Sequence, residues 1–224
     1  MKKQLLALTL LTGLSNSVMA DTIGTYFGAN IWQSGVDGTI KYNNNASFTN
    51  YEDTYNYRMY AKFEHPIPLI PNGAISFSNV DVEGSSSGEN INLKTVDFTL
   101  YYEFLDNDIV SLDAGVTWRQ LSGTFQENGN EHSFKGPLPM GYLYGEVGLP
   151  MFPLKAFAMV NAIGITGDVY GDAEVGLSFV LNPAYVLDWS IRAGYRIQQL
   201  DFNVDDVKAD ATIDGVFVGF EGHF

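Results

Sequence analysis

Cysteine is absent from the 224 residues. That excludes disulfide staples, zinc–thiolate centres and cysteine nucleophiles. Positive charge is scarce: 12 Lys and Arg stand against 26 Asp and Glu, for a formal net charge of −14. So acidic a chain lacks the basic surface that neutralises phosphates, which excludes a nucleic-acid partner. Long apolar runs are missing after residue 20. The most apolar stretch, Val147 to Ile165, is interrupted by Pro150, Pro153, Lys155 and Asn161, whereas a transmembrane helix needs about 20 apolar residues. Gly-x-Ser-x-Gly, His-Glu-x-x-His and EF-hand spacings are also missing, so no catalytic or metal-binding motif is present and no metal or cofactor is expected.

What is present begins with a leader. Met1-Lys2-Lys3 is a short cationic segment, Gln4 to Leu14 is mostly apolar, and Val18-Met19-Ala20 places small residues at −3 and −1 of a cut between Ala20 and Asp21. This is the layout of a secretory signal peptide. Residues 1–20 are expected to be removed and 21–224 to form one domain. Loss of Lys2 and Lys3 takes the formal charge from −14 to −16.

The rest is rich in aromatic residues (13 Tyr, 15 Phe) and in glycine (23 residues), a composition suited to strands and turns. Strict alternation recurs, and a period of two places successive side chains on opposite faces of a strand. Over 55–64 one face carries Tyr55, Tyr57, Met59, Ala61 and Phe63, the other Asn56, Arg58, Tyr60, Lys62 and Glu64. Segments 95–104, 111–119 and 189–198 repeat the pattern, and weaker versions cover 22–33, 73–82, 139–149, 155–165, 173–181 and 214–224. The expectation is ten strands, with eight as the alternative. Short turns marked by Pro, Asn or Asp fall at 66–71, 105–108, 150–153 and 182–186. The other connections, 34–53, 83–93, 120–138, 166–172 and 202–213, are polar and mostly longer.

The polar faces carry balanced charge. Arg58, Lys62, Glu64, Asp97, Glu103, Asp113, Arg119, Glu146, Glu174, Arg192, Arg196 and Glu221 lie on them, with Gly24, Gly28, Gly115, Gly148, Gly176, Gly194 and Gly219 in the same phase. A soluble β-sandwich puts its apolar faces inward. A closed membrane barrel reverses this, with apolar residues out and polar residues in. The mixture of paired charge and glycine favours the barrel, with these twelve residues forming a salt-bridged lumen core.

The last strand ends in Phe224. Val216, Val218, Phe220 and Phe224 share one face, with Gly222 where a large apolar residue is more usual. This resembles the C-terminal assembly signal of Gram-negative outer-membrane proteins. The residues from 21 onward resemble small outer-membrane barrels of the OmpA/OmpX type: all-β, closed, antiparallel and up-and-down. That resemblance implies location in the cell outer membrane, insertion by the barrel-assembly machinery, short turns facing the periplasm, and lipid and lipopolysaccharide as surroundings. Aromatic girdles are expected from Trp32, Tyr55, Trp118 and Tyr142 at the loop end and Phe104, Tyr185, Trp189 and Phe224 at the turn end. The acidic clusters Asp201–Asp214 and Asp168–Glu174 read as solvated faces.

Three roles remain open at this point. The first is a non-enzymatic structural or surface-interaction barrel with a charge-plugged lumen. The second is a narrow channel for small solutes. The third is a lipid-active enzyme, for which Glu131, His132 and Ser133 are the candidates. Neighbouring residues on an extended chain point opposite ways, so these three cannot form a triad alone.

Overall fold

The computed structural model describes residues 23–42, 53–83, 90–107, 109–127, 130–165, 168–182, 187–204 and 207–224. The leader, the Ala20–Asp21 cut and Tyr185 lie outside these residues. Ten strands are formed: β1 (Gly24–Tyr42), β2 (Thr54–Glu64), β3 (Asn72–Glu83), β4 (Asn90–Asp106), β5 (Val110–Glu127), β6 (Asn130–Gly148), β7 (Leu154–Ile165), β8 (Asp168–Val180), β9 (Asp188–Val204) and β10 (Val207–His223). Each pairs antiparallel with its sequence neighbours, and β1 pairs with β10 to close the barrel. At that seam Thr25 and Phe224 exchange both backbone hydrogen bonds, at 2.7 and 2.9 Å. Closure leaves no strand edge along this seam.

The expected alternation places the faces. On β2, Tyr55, Tyr57, Met59 and Phe63 are exposed, while Asn56, Arg58, Tyr60 and Glu64 are buried. The same holds around the wall, where Phe98, Val116, Val175, Ile191 and Val218 all point outward and exposed. The sandwich alternative fails on this point, because its core would hold these residues.

Three connections at the turn end are clipped by asparagine. Asn72 Oδ1 accepts from the His65 amide at 3.0 Å, Asn107 Oδ1 from the Ile109 and Val110 amides at 3.0 Å, and Asn182 Oδ1 from the Trp189 amide at 2.7 Å. An Asn side chain replaces a missing ladder partner where the strand turns back.

At the other end the described residues of the expected long loops are nearly all strand. β5 runs to Glu127 and β6 starts at Asn130, while β9 ends at Val204 and β10 starts at Val207. The physical reason is a reversal of polarity along the strands. On β3 the outward series Ile75, Phe77 continues as Asn79, Asp81, and the inward series Ser76, Ser78 continues as Val80, Val82. On β10, outward Val218 and Val216 give way to Asp214 and Thr212, and inward Ile213, Ala211 and Ala209 are buried. The alternation persists with its phase exchanged, so these segments still bury an apolar face and still form strands.

Two girdle expectations are corrected. Trp32 and Tyr142 point inward and are buried, whereas Tyr55, Trp118, Phe104 and Phe224 are exposed on the outer wall. Trp32 shares its phase with Gly24 and Gly28, which fixes it on the lumen side.

Candidate functional site: a charge-filled lumen

The lumen has three storeys. The central one is a ladder of ion pairs drawn from opposite walls. Arg58 of β2 donates to Glu174 of β8 at 2.7 Å, and Arg196 of β9 lies 3.5 Å from the same carboxylate. Arg196 also donates to Asp172 through Nε and Nη2, at 3.0 and 2.9 Å. Asp172 takes a further hydrogen bond from Arg119 Nη2 of β5 at 2.7 Å. Arg119 grips Asp97 of β4 with two bonds of 2.7 Å and donates to the Tyr170 hydroxyl at 2.6 Å. Both Arg119 and Arg196 are 1% exposed. Planar guanidinium groups suit such bridging, since each offers five donors in a fixed fork.

A second group sits beside the ladder. Arg192 Nη1 donates to Glu221 at 2.7 Å and to the Tyr60 hydroxyl at 2.5 Å, and Tyr60 donates to Glu221 at 2.7 Å. The Phe157 ring lies 3.8 Å from the Arg192 guanidinium carbon, and Trp32 lies 4.7 Å from that of Arg196. Aromatic faces thus replace part of the hydration these cations lose.

The turn-end storey is a vestibule of about 250 Å³. Glu64, lining it, accepts from the Tyr101 hydroxyl at 2.8 Å. Glu146 pairs with Lys155 at 2.7 Å and accepts from Tyr144 at 2.9 Å. Asp113 accepts a long 3.4 Å bond from Ser111, and Glu103 also lines the space. Lys62 closes the roof, with its ammonium 4.1 Å from the Tyr144 ring and 5.7 Å from that of Tyr26. The void between vestibule and ladder measures about 30 Å³, space for about two water molecules.

The loop-end storey is apolar: Val80, Val82, Ile91, Leu93, Leu121, Leu200 and Ile213 pack as one buried cluster with Trp32. It lies beyond the ladder on the side away from the vestibule.

All twelve charged residues expected in the lumen face it or its vestibule. Arg58, Asp97, Arg119, Glu174 and Arg196 join the central ladder, Arg192 and Glu221 the second group, and Lys62, Glu64, Glu103, Asp113 and Glu146 the vestibule. The sequence reading missed Asp172, which it assigned to a solvated acidic face; Asp172 is 1% exposed and holds two arginines. Glu174, expected both in the lumen and in that acidic cluster, is buried in the lumen. Their shared phase with Gly176 on β8 was the available signal. Tyr60 and Tyr170 were likewise left out of the network.

The glycines in this phase serve the lumen rings. A Cβ on Gly28 would stand 2.4 Å from the Tyr60 ring, on Gly176 2.8 Å from Phe157, and on Gly194 2.9 Å from Phe217. The room expected for long charged chains is taken up by aromatic rings.

Glu131 and Ser133 are exposed on β6, and the side chain of His132 lies outside the described residues. No helix among the described residues is long and apolar enough to cross a membrane, which says nothing of strands.

No family model matches the chain, and no curated protein matches it. Solved structures are similar in shape at low identity. Neisserial surface protein A aligns at 12% identity and TM-score 0.45, covering 90% of this chain and 98% of its own. Ail, the attachment invasion locus protein of Yersinia pestis, in complex with the heparin analogue sucrose octasulfate, aligns at 14% and 0.42, covering 91% and 100%. The translocator domain of the autotransporter NalP from Neisseria meningitidis aligns at 11% and 0.47, covering 96% and 94%. The barrel assignment rests on the strand pairing of this chain itself.

Proposed function

We propose that this chain is a non-enzymatic outer-membrane barrel whose closed lumen makes it a rigid anchor for structure displayed beyond the lipid. The exposed apolar belt supports the membrane placement. Trp189 to Ile197 on β9 and Val110 to Trp118 on β5 are stretches of about the length a tilted strand needs to cross the hydrocarbon layer. A soluble surface with so much contiguous apolar area would associate. In this reading the asparagine-clipped turns face the periplasm and the polar-walled strand ends stand outside the cell. Residues 1–20 direct export. Val216, Val218, Phe220 and Phe224 present the apolar strand that the barrel-assembly machinery engages, and lipopolysaccharide surrounds the outer half.

The observation that carries the closed lumen is the stacking of two seals. The arginine ladder spans the barrel, and among the described residues the apolar cluster around Val82 and Leu121 packs above it, which supports a lumen without a continuous polar route. The lumen arginines and their acidic partners bind one another, which leaves them poor candidates for transport or catalysis. The vestibule favours a second reading, a narrow channel, but its inner end meets Lys62 and the ladder.

Planar-bilayer recording on the folded full chain tests this. The expected result is no steady conductance above the bare membrane, with heat-modifiable gel migration confirming that the barrel is closed. A steady single-channel current from heat-modifiable protein would replace the anchor reading with the channel.

A further inference from the structure

We infer that the outer face of β4, β5 and β6 carries a docking site for phosphorylated outer-leaflet lipid, built on Lys94 and Lys135. The inference rests on the outer-membrane reading above and names a partner for it.

Cross-strand register creates the site. Lys94 and Lys135 each stand opposite Ser122, one from either side. Two strand spacings separate them, about 10 Å. Both are exposed, and neither joins an ion pair among the described residues. Like charges on one row repel, and this chain has more than twice as many acids as bases with which to neutralise them. The nearest carboxylate by register, Asp81, is diagonal to Lys94 and accepts a 2.8 Å bond from Asn90.

Two rows toward the turn end, on the same three strands and the same face, stand Phe98, Trp118 and Pro139, also in mutual register and exposed. The face therefore reads apolar and then cationic along the membrane normal. That order matches an amphiphile whose acyl chains lie along Phe98 and Trp118 and whose phosphates reach Lys94 and Lys135, with the indole at headgroup depth. The apolar shelf is what selects a lipid phosphate over a free one. Lysines near an anionic lipid surface each add enough attraction that losing both weakens binding roughly thirtyfold.

The test uses the full chain folded in detergent micelles, with diphosphoryl lipid A as probe and native mass spectrometry as readout. Lys94→Gln/Lys135→Gln, which touches only exposed side chains, is compared with wild type. The expected result is roughly thirtyfold weaker retention by the variant, and no difference between the two proteins once the lipid A is dephosphorylated. Equal retention of the diphosphoryl probe by both proteins overturns the inference. So does complete displacement of the lipid by an excess of inorganic phosphate. Heat-modifiable migration of both samples separates these outcomes from failure of the barrel itself: wild type that migrates identically with and without boiling contradicts the membrane reading and removes this one with it.

Discussion

Arg119 of β5 and Asp172 of β8 meet across the barrel, Nη2 to Oδ2 at 2.7 Å, with side-chain exposures of 1% and 0%. Fifty-three positions separate them in sequence, yet together with Asp97 and Arg196 they fix the distance between opposite walls. Desolvating such charges is costly, and the pairing offsets that cost only while every partner is present.

Removing the centre of the ladder is therefore expected to be severe. Arg119→Ala leaves Asp97 and Asp172 buried with fewer counter-charges, for a loss of about 3–5 kcal/mol. Arg119→Met in combination with Asp97→Leu removes the charge together with one of its partners, and should recover part of that loss. Urea titration of the folded fraction on unheated gels measures both. Equal stability of Arg119→Ala and wild type would contradict the ladder.

The polarity reversal makes a paired prediction on β3. Val82 is fully buried and its neighbour Asp81 faces outward. Val82→Asp places an unpaired carboxylate in the apolar storey and is expected to cost about 3 kcal/mol or more. Val82→Ile should stay within about 1.5 kcal/mol. The same urea titration reads both, and tolerance of Val82→Asp would mean that water fills this end of the lumen.

Glycine packing gives a third contrast. On Gly194 a Cβ would stand 2.2 Å from the Val175 carbonyl oxygen and 2.9 Å from the Phe217 ring, while at Gly171 nothing lies within 4 Å. Gly194→Val should destabilise by about 1–3 kcal/mol, and Gly171→Val should stay within about 0.5 kcal/mol. The midpoint temperature of heat-modifiable migration ranks the two, and equal midpoints would contradict the close approach of β8 and β9.

The strand count and the two faces were legible in the sequence because alternation is a local property. Arg58, Arg119, Arg192 and Arg196 went to the lumen on phase alone. The outer halves of the strands were harder to read, because the apolar phase flips near Asn79, Lys94, Gln120 and Asp214. A stretch such as Ala209, Ala211 and Ile213 among aspartates looks like a polar loop when averaged. Trp32 and Tyr142 were misplaced when residue type was allowed to outweigh phase. Partner choice was not legible: Arg58 meets Glu174 at a separation of 116 positions, and that meeting depends on barrel stagger, which no single strand encodes.

β10 is expected to face lipid on one side, water on its outer extension, and a dry core within. Because the chain has no cysteine, single spin labels can be attached at Ile213→Cys, Asp214→Cys and Val218→Cys in vesicle-inserted protein. Collision rates with oxygen and with a water-soluble nickel chelate then report each environment. Position 218 is expected to collide with oxygen, position 214 with nickel, and position 213 with neither. Strong nickel collisions at 213 would mean an open aqueous lumen, and strong nickel collisions at 218 would mean that this wall does not face lipid; either result contradicts the account.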